Sequence, residues 1–153
     1  MDVYNNKVSG ERVLAGHTYR LIKVSKKRLG YTRAFEVDTD PIKVIAYYSS
    51  LPRAIFDAIY DSDRFGSLPA AYGWFKDRVK DRKFLLEFID ICLKLGNVST
   101  LRRVGCVLDE IGMSKESARF LKKLKKTSAF IPLDPSRPTR GRTHSKWGVV
   151  VNE

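Results

Sequence analysis

The residues of this chain best suited to chemistry are its cations. Arg137, Arg140, Arg142 and Lys146 share one C-terminal stretch that Pro135 and Pro138 stiffen. Guanidinium forks match the oxygens of a phosphate, and Gly141 between them would let a backbone N–H approach an anion. A second group, Lys122, Lys123, Lys125 and Lys126, follows a short apolar pattern in which Leu121 and Leu124 mark the buried side. Those lysines must then point to solvent. A third group, Lys26, Lys27 and Arg28, forms a basic turn between two strand-like segments. The second and third groups read equally well as phosphate contacts or as a solubilising face.

Other chemistries have little to stand on. The sequence contains no GxxxxGK[ST], HExxH, GxSxG or GxGxxG pattern. His17 and His144 lie at opposite ends of the chain with no carboxylate or cysteine clustered beside them in sequence, so metal and catalytic roles rank low. Cys92 and Cys106 cannot make a zinc site alone; both fall inside apolar helical patterns and read as buried thiols of a reducing compartment. Asp57 reads as a structural acceptor and Asp134, before Pro135, as a turn former.

Composition points to the same class of partner. The 153 residues are 43% hydrophobic and 30% charged, enough for one packed core. Lys and Arg total 29 against 17 Asp and Glu, a net charge of +12 that suggests a polyanionic partner, most often nucleic acid. The surplus is uneven. Residues 1–35 carry eight basic and two acidic groups, 36–111 carry eleven and twelve, and 112–153 carry ten and three. A near-neutral middle resembles a core layer between two basic ends. No 18-residue apolar run is present, so no transmembrane helix is expected. The polar start, Met1 to Lys7, lacks the apolar stretch of a secretory leader.

Positioning these groups requires both kinds of periodicity. Residues 17–24 and 31–37 alternate with a period of two, and 42–48 are apolar on both faces, which predicts an antiparallel meander with a turn at 38–41. Ser50 and Pro52 then open a helix with a stripe of Ala54, Ile55, Ala58 and Ile59. A loop is expected at 61–67 and a helix at 68–79 around Trp74. The strongest helix is 82–95, lined by Leu85, Phe88, Ile89 and Cys92. Gly96-Asn97 ends it and starts another, with Val98, Leu101, Gly105, Leu108 and Ile111 on its apolar face and Arg102, Arg103, Asp109 and Glu110 off it. Arg102 and Arg103 near a helix start call for a compensating acid, such as Asp57 or Asp134, or a bound phosphate. Ser114 is expected to cap a helix over 115–126 anchored by Ala118, Leu121 and Leu124. Strands are expected at 129–131 and 146–151, and Trp74 and Trp147 read as core anchors.

The second half follows one recognisable pattern: Gly96-Asn97, Leu101-Arg102-Arg103-Val104-Gly105, Leu133-Asp134-Pro135-Ser136, Gly141, Ser145-Lys146-Trp147 and Asn152. It resembles the C-terminal domain of AbiEi-type antitoxins, the antitoxin half of type IV, abortive-infection toxin–antitoxin pairs. Ser49 to Asp57 resembles the same domain's first helix, written ERAxxD, with Pro52 in place of its Glu. The resemblance spans residues 17–152. It implies a domain that helps neutralise a nucleotidyltransferase-like toxin and supports repression of transcription. Such proteins usually carry an N-terminal winged helix that reads the operator; residues 1–16 could not supply one, so the resemblance concerns the second domain alone.

The expectation is therefore an α+β chain: a loose lead-in over 1–16, then one domain over 17–153 whose antiparallel sheet joins the early strands to the C-terminal strand against four or five helices. It is expected to be a cytoplasmic, non-enzymatic, antitoxin-like regulator of transcription that needs no cofactor and no metal. Its expected partners are nucleic acid, DNA above all, and, by antagonism, the toxin. The alternative is a basic DNA- or RNA-binding module with no toxin partner. The expected phosphate-contacting residues are the three cationic groups above.

Overall fold

Backbone hydrogen bonding sorts the strands into three small sheets rather than one. The computed structural model describes residues 1–39, 42–66, 68–125 and 127–152, excluding the side chains of 37–39, 42 and 44. The chain is α+β and forms two compact units, 1–50 and 51–153.

In the first unit, β1 (Asp2–Asn5) and β2 (Gly10–Leu14) flank β3 (His17–Lys23), β1 parallel and β2 antiparallel to it. The lead-in expected to be loose is thus strand, closed by backbone bonds and by the Asp2–Arg20 ion pair at 2.6 Å. The basic turn Lys26–Arg28 is a single 3-10 turn. After it, β4 (Thr32–Thr39) pairs with β5 (Ile42–Ser49) as an antiparallel hairpin of its own. Asp40 and Pro41 of the expected turn lie outside the described residues. The meander is therefore broken: β3 bonds to β1 and β2, not to β4. The 3-10 turn redirects the chain between them.

The second unit holds nearly all of the buried apolar side chains, with Ile22 the contribution of the first among the described residues. Helix α1 (Leu51–Tyr60) buries Ile55, Phe56, Ala58 and Ile59, while Ala54 faces solvent. A short α2 (Ser62–Phe65) occupies the expected loop. α3 (Leu68–Arg78) buries Leu68, Ala71, Tyr72 and Phe75. Trp74 is 49% exposed on its outer side, not a core anchor. α4 (Arg82–Leu95) has the expected bounds, started by Asp81, whose side chain accepts from the N–H groups of Lys83 and Phe84. Phe75, Phe84 and Phe88 make an aromatic stack, with Phe75 and Phe88 centroids 4.5 Å apart.

Gly96 ends α4, and Asn97 caps α5 (Val98–Glu110) by accepting from the Thr100 N–H at 2.8 Å. α6 (Ser114–Leu121) is shorter than its sequence suggests and has no side-chain cap. Ser117 and Phe120, not Ala118 and Leu121, face inward. Lys122, Lys123 and Lys125 therefore follow the helix instead of lining it.

The C-terminal strand pairs locally. β8 (Val149–Val151) runs parallel to β6 (Ile131–Pro132) and antiparallel to β7 (Arg142–His144), and all three of its valines are buried. It does not join the early strands. With both edges of β8 taken by β6 and β7, no ladder position is left for them.

The RAxxD segment of α1 is explained by a buried pair. Arg53 Nε donates to Asp57 Oδ2 at 2.7 Å, one turn apart, with both side chains 3% exposed. Asp57 is the structural acceptor its sequence context suggests. Removing one member of such a pair strands the other charge in the core. Asp57→Ala is expected to lower the unfolding free energy by about 3–5 kcal/mol in urea denaturation, and a loss under 1 kcal/mol would contradict this placement.

Candidate nucleic-acid interface

Arg102 organises the C-terminal third. It sits on α5 and is only 6% exposed, although the helical pattern puts it off the apolar face. Its Nε donates to the Trp147 carbonyl at 2.6 Å, and its Nη2 to the carbonyls of Ala129, at 2.5 Å, and Gly148. Burial, with Arg103 next to it, lowers its pKa from the ordinary arginine value. Neither Asp57 nor Asp134 provides the expected compensation. Carbonyl dipoles of the closing segment do so instead, and the Arg103 Nε donates likewise to the Pro132 carbonyl at 3.0 Å.

Trp147 fills the space beside it, 2% exposed. A Cβ on Gly105 would fall 2.4 Å from the indole ring, so only glycine lets the ring lie on the α5 backbone. The indole N–H donates to Asp109 Oδ2 at 2.8 Å. Asp109 also accepts from Ser117 Oγ and pairs with Lys146 Nζ at 2.7 Å. Burial alone would raise the Asp109 pKa, but the bonds from Lys146, Ser117 and Trp147 outweigh it and hold the carboxyl below its ordinary value. Gly148, at φ +60°, admits the Arg102 guanidinium where a side chain would stand.

The loop before β7 is clamped in the same manner. Asn152 accepts from the Asp134 N–H at 2.9 Å and donates to the carbonyls of Asp134 at 2.7 Å and Pro138 at 3.2 Å. Asp134 turns the chain by accepting from the Ser136 N–H and hydroxyl. Gly141, at φ +154°, is needed because a Cβ would meet the Val151 carbonyl oxygen at 2.1 Å. Its bareness is thus required by chain packing.

These contacts divide the expected phosphate ligands. Arg137 faces Asp134 at 3.5 Å, Arg142 pairs with Glu110 at 2.6 Å and Lys146 with Asp109, so the sharpest cationic cluster is largely paired internally. Lys123 Nζ donates to the Leu93 carbonyl. Lys122, Lys125 and Arg140 are exposed. Lys126 lies outside the described residues. Lys26, Lys27 and Arg28 belong to the first unit, where Arg28 stacks over the Tyr4 ring at 5.9 Å.

One cleft does gather cations. A cavity of about 560 Å³ is lined by Arg102, Lys125, Lys146 and Trp147, by the hydroxyl-bearing Thr127 and Ser145, and by Leu121, Leu124 and Gly148. Among the described residues no carboxylate lines it. Lys146 Nζ stands over the Trp147 ring, 5.3 Å from its centroid. Arg102 is the member that sequence reasoning undervalued. A signal was present: a glycine inside an apolar helical stripe marks a close packing contact on that helix, here the Trp147 ring that lies beside Arg102.

Comparison with known proteins finds no matching family model, no matching curated protein and no matching solved structure. The residues themselves therefore carry the functional argument.

The Gly105–Trp147 contact is testable against a glycine in an open setting. Gly105→Ala is expected to cost about 1–3 kcal/mol through overpacking. Gly73→Ala in α3, where nothing lies within 4 Å of the new Cβ, is expected to be neutral or to stabilise by up to about 1 kcal/mol. Equal thermal midpoints for the two variants would mean that the ring does not depend on the glycine.

Proposed function

We propose that this chain is a non-enzymatic nucleic-acid-binding regulator that holds phosphate in the cleft between the end of α6 and the 145–148 turn. The observation that carries the reading is the lining: three cations and two hydroxyls, with no carboxylate among the described lining residues, in a cavity of about 560 Å³; one of the cations, Lys146, is paired with Asp109 behind the lining. Lys125 and Lys146 supply charge at the rim, Thr127 and Ser145 supply donors, and Arg102 lies beneath them. Contacts of this kind go to the phosphodiester backbone, so binding is weakly selective for sequence. Affinities of about 10⁻⁴ to 10⁻⁶ M at physiological salt are the expected scale. Placement in the cytoplasm accords with the free thiols of Cys92 and Cys106, both buried.

The check is a fluorescence-anisotropy salt titration with labelled single- and double-stranded oligonucleotides. Wild type is expected to bind at low salt and weaken steeply as salt rises, through release of condensed counterions. Lys125→Ala is expected to reduce the slope by about 1 and to leave the thermal midpoint unchanged. Absence of binding at low salt, or an unchanged slope, would leave the cleft as mere solvated surface.

The narrower role, antitoxin of a type IV pair, rests on the residue pattern shared with AbiEi-type antitoxins. It gains support from where the pattern residues lie. Arg102 and Gly105 both meet Trp147, and Asp134, Gly141 and Asn152 meet their neighbours. The pattern thus coincides with one interlocked packing unit. If the role holds, co-expression with a nucleotidyltransferase-like protein encoded beside its gene restores growth. Growth arrest that persists at equal expression would reject the antitoxin role and leave the nucleic-acid module.

A further inference from the structure

Cys106 and Glu110 stand one turn apart on α5, and β7 brings His144 over the same turn. One donor atom from each, the thiol sulfur, a carboxylate oxygen and an imidazole nitrogen, lies within 4.8 Å of the other two. The grouping is invisible in sequence, where His144 is 34 residues beyond Glu110. It arises only because β7 pairs with β8 and β8 packs against α5.

The chemistry of the three donors is specific. Thiolate, imidazole and carboxylate together match the ligands of zinc-class cations and poorly match those of calcium or magnesium. The spacing is close to what such an ion needs. His144 Nε2 lies 4.0 Å from Glu110 Oε1. Tetrahedral bonds of about 2.1 Å put nitrogen and oxygen donors about 3.4 Å apart, a contraction that side-chain torsions supply. Glu110 is already oriented for it: Oε2 is held by Arg142 at 2.6 Å, which leaves Oε1 towards the histidine. Asp109 Oδ2 lies 3.9 Å from His144 Nε2 but is already engaged by the Trp147 indole N–H and by Lys146, so it stands beside the three donors without adding a fourth.

We propose that Cys106, Glu110 and His144 form a binding site for a divalent cation of the zinc class, at the junction of α5 and β7. Three protein donors leave a fourth position for water. Ligation converts the Cys106 thiol to thiolate and releases its proton to solvent. A bound ion would tie α5 to the closing strands beside the Arg102 contacts, so its effect is felt as stability of the second unit. The site does not depend on the nucleic-acid reading.

The test uses the full chain, reduced and stripped with a chelator, then titrated with zinc in competition with a chromophoric chelator. One equivalent should bind, with a higher thermal midpoint. Cobalt in place of zinc should give a thiolate-to-metal charge-transfer band in the near ultraviolet. His144→Ala and Glu110→Gln are expected to weaken binding by about 100-fold or more, since loss of even an outer-shell partner costs 10- to 100-fold. Cys92→Ser should bind as wild type, and Cys106→Ser should lose the cobalt band. Should Cys106→Ser fail to fold, the half-buried His144 variant carries the decision. No stoichiometric binding, a cobalt spectrum without the thiolate band, or undiminished affinity in His144→Ala would overturn the proposal.

Discussion

The second unit depends on one uncommon arrangement: the buried guanidinium of Arg102, which crosses from α5 to the backbone carbonyls of Ala129, Trp147 and Gly148. A charge in that position would be costly without partners, and hydrogen bonds to charged groups are among the stronger ones in proteins. Carbonyls at three points of the closing segment share it. They would otherwise be buried with fewer donors, because β6 and β8 are only two and three residues long. The arginine adds to the few backbone bonds such short strands supply; the Gly148 carbonyl, for one, also accepts from the Ile131 N–H at 2.9 Å. The guanidinium thereby fixes the turn at 145–148, and with it the place of Trp147 against Gly105 and of Lys146 against Asp109.

Rigidity at that turn has a consequence for charge. The chain carries a large positive surplus, yet Arg137, Arg142 and Lys146 each face a carboxylate. The Arg142–Glu110 pair is well exposed, and exposed pairs contribute only about 0–1 kcal/mol. A phosphate can therefore compete for the arginine at little cost to the fold. Lys146 differs, because its partner Asp109 is shared with the indole and with Ser117 and is itself buried. Its charge is best regarded as oriented towards the cleft rather than free to leave.

The two units are built on different principles. In the first, backbone ladders do most of the work, and the β4–β5 hairpin leaves Phe35, Ile45, Tyr47 and Tyr48 half exposed or more. In the second, helices α1, α3, α4 and α5 enclose a dense aromatic and aliphatic core. There the polar groups admitted to the interior, Arg53 with Asp57, Arg102 with its carbonyls, Asn152 with its loop, are each hydrogen-bonded. Among the described residues no helix is long and apolar enough to cross a membrane.

What the sequence by itself determined is what local physics controls. The bounds of α4, the Gly96-Asn97 junction, the burial of both cysteines and of Trp147, and the α+β class all follow from periodicity, capping and turn chemistry within a dozen residues, whereas on α5 the expected face was only partly right, with Val98 exposed and Arg102 buried. The tertiary structure decided everything that needs a partner from afar. Which strands share a sheet was open, because short strands of similar composition can pair in several ways and only the connections choose among them. The fate of each cation was equally open. A charge run looks alike in sequence whether a carboxylate, a carbonyl or water will meet it, and the choice is made when α5 and the last strands come together. Cys106, Glu110 and His144 are the clearest case: the helical spacing of the first two is legible, but the histidine is delivered by strand pairing, which is a long-range contact that no local pattern encodes.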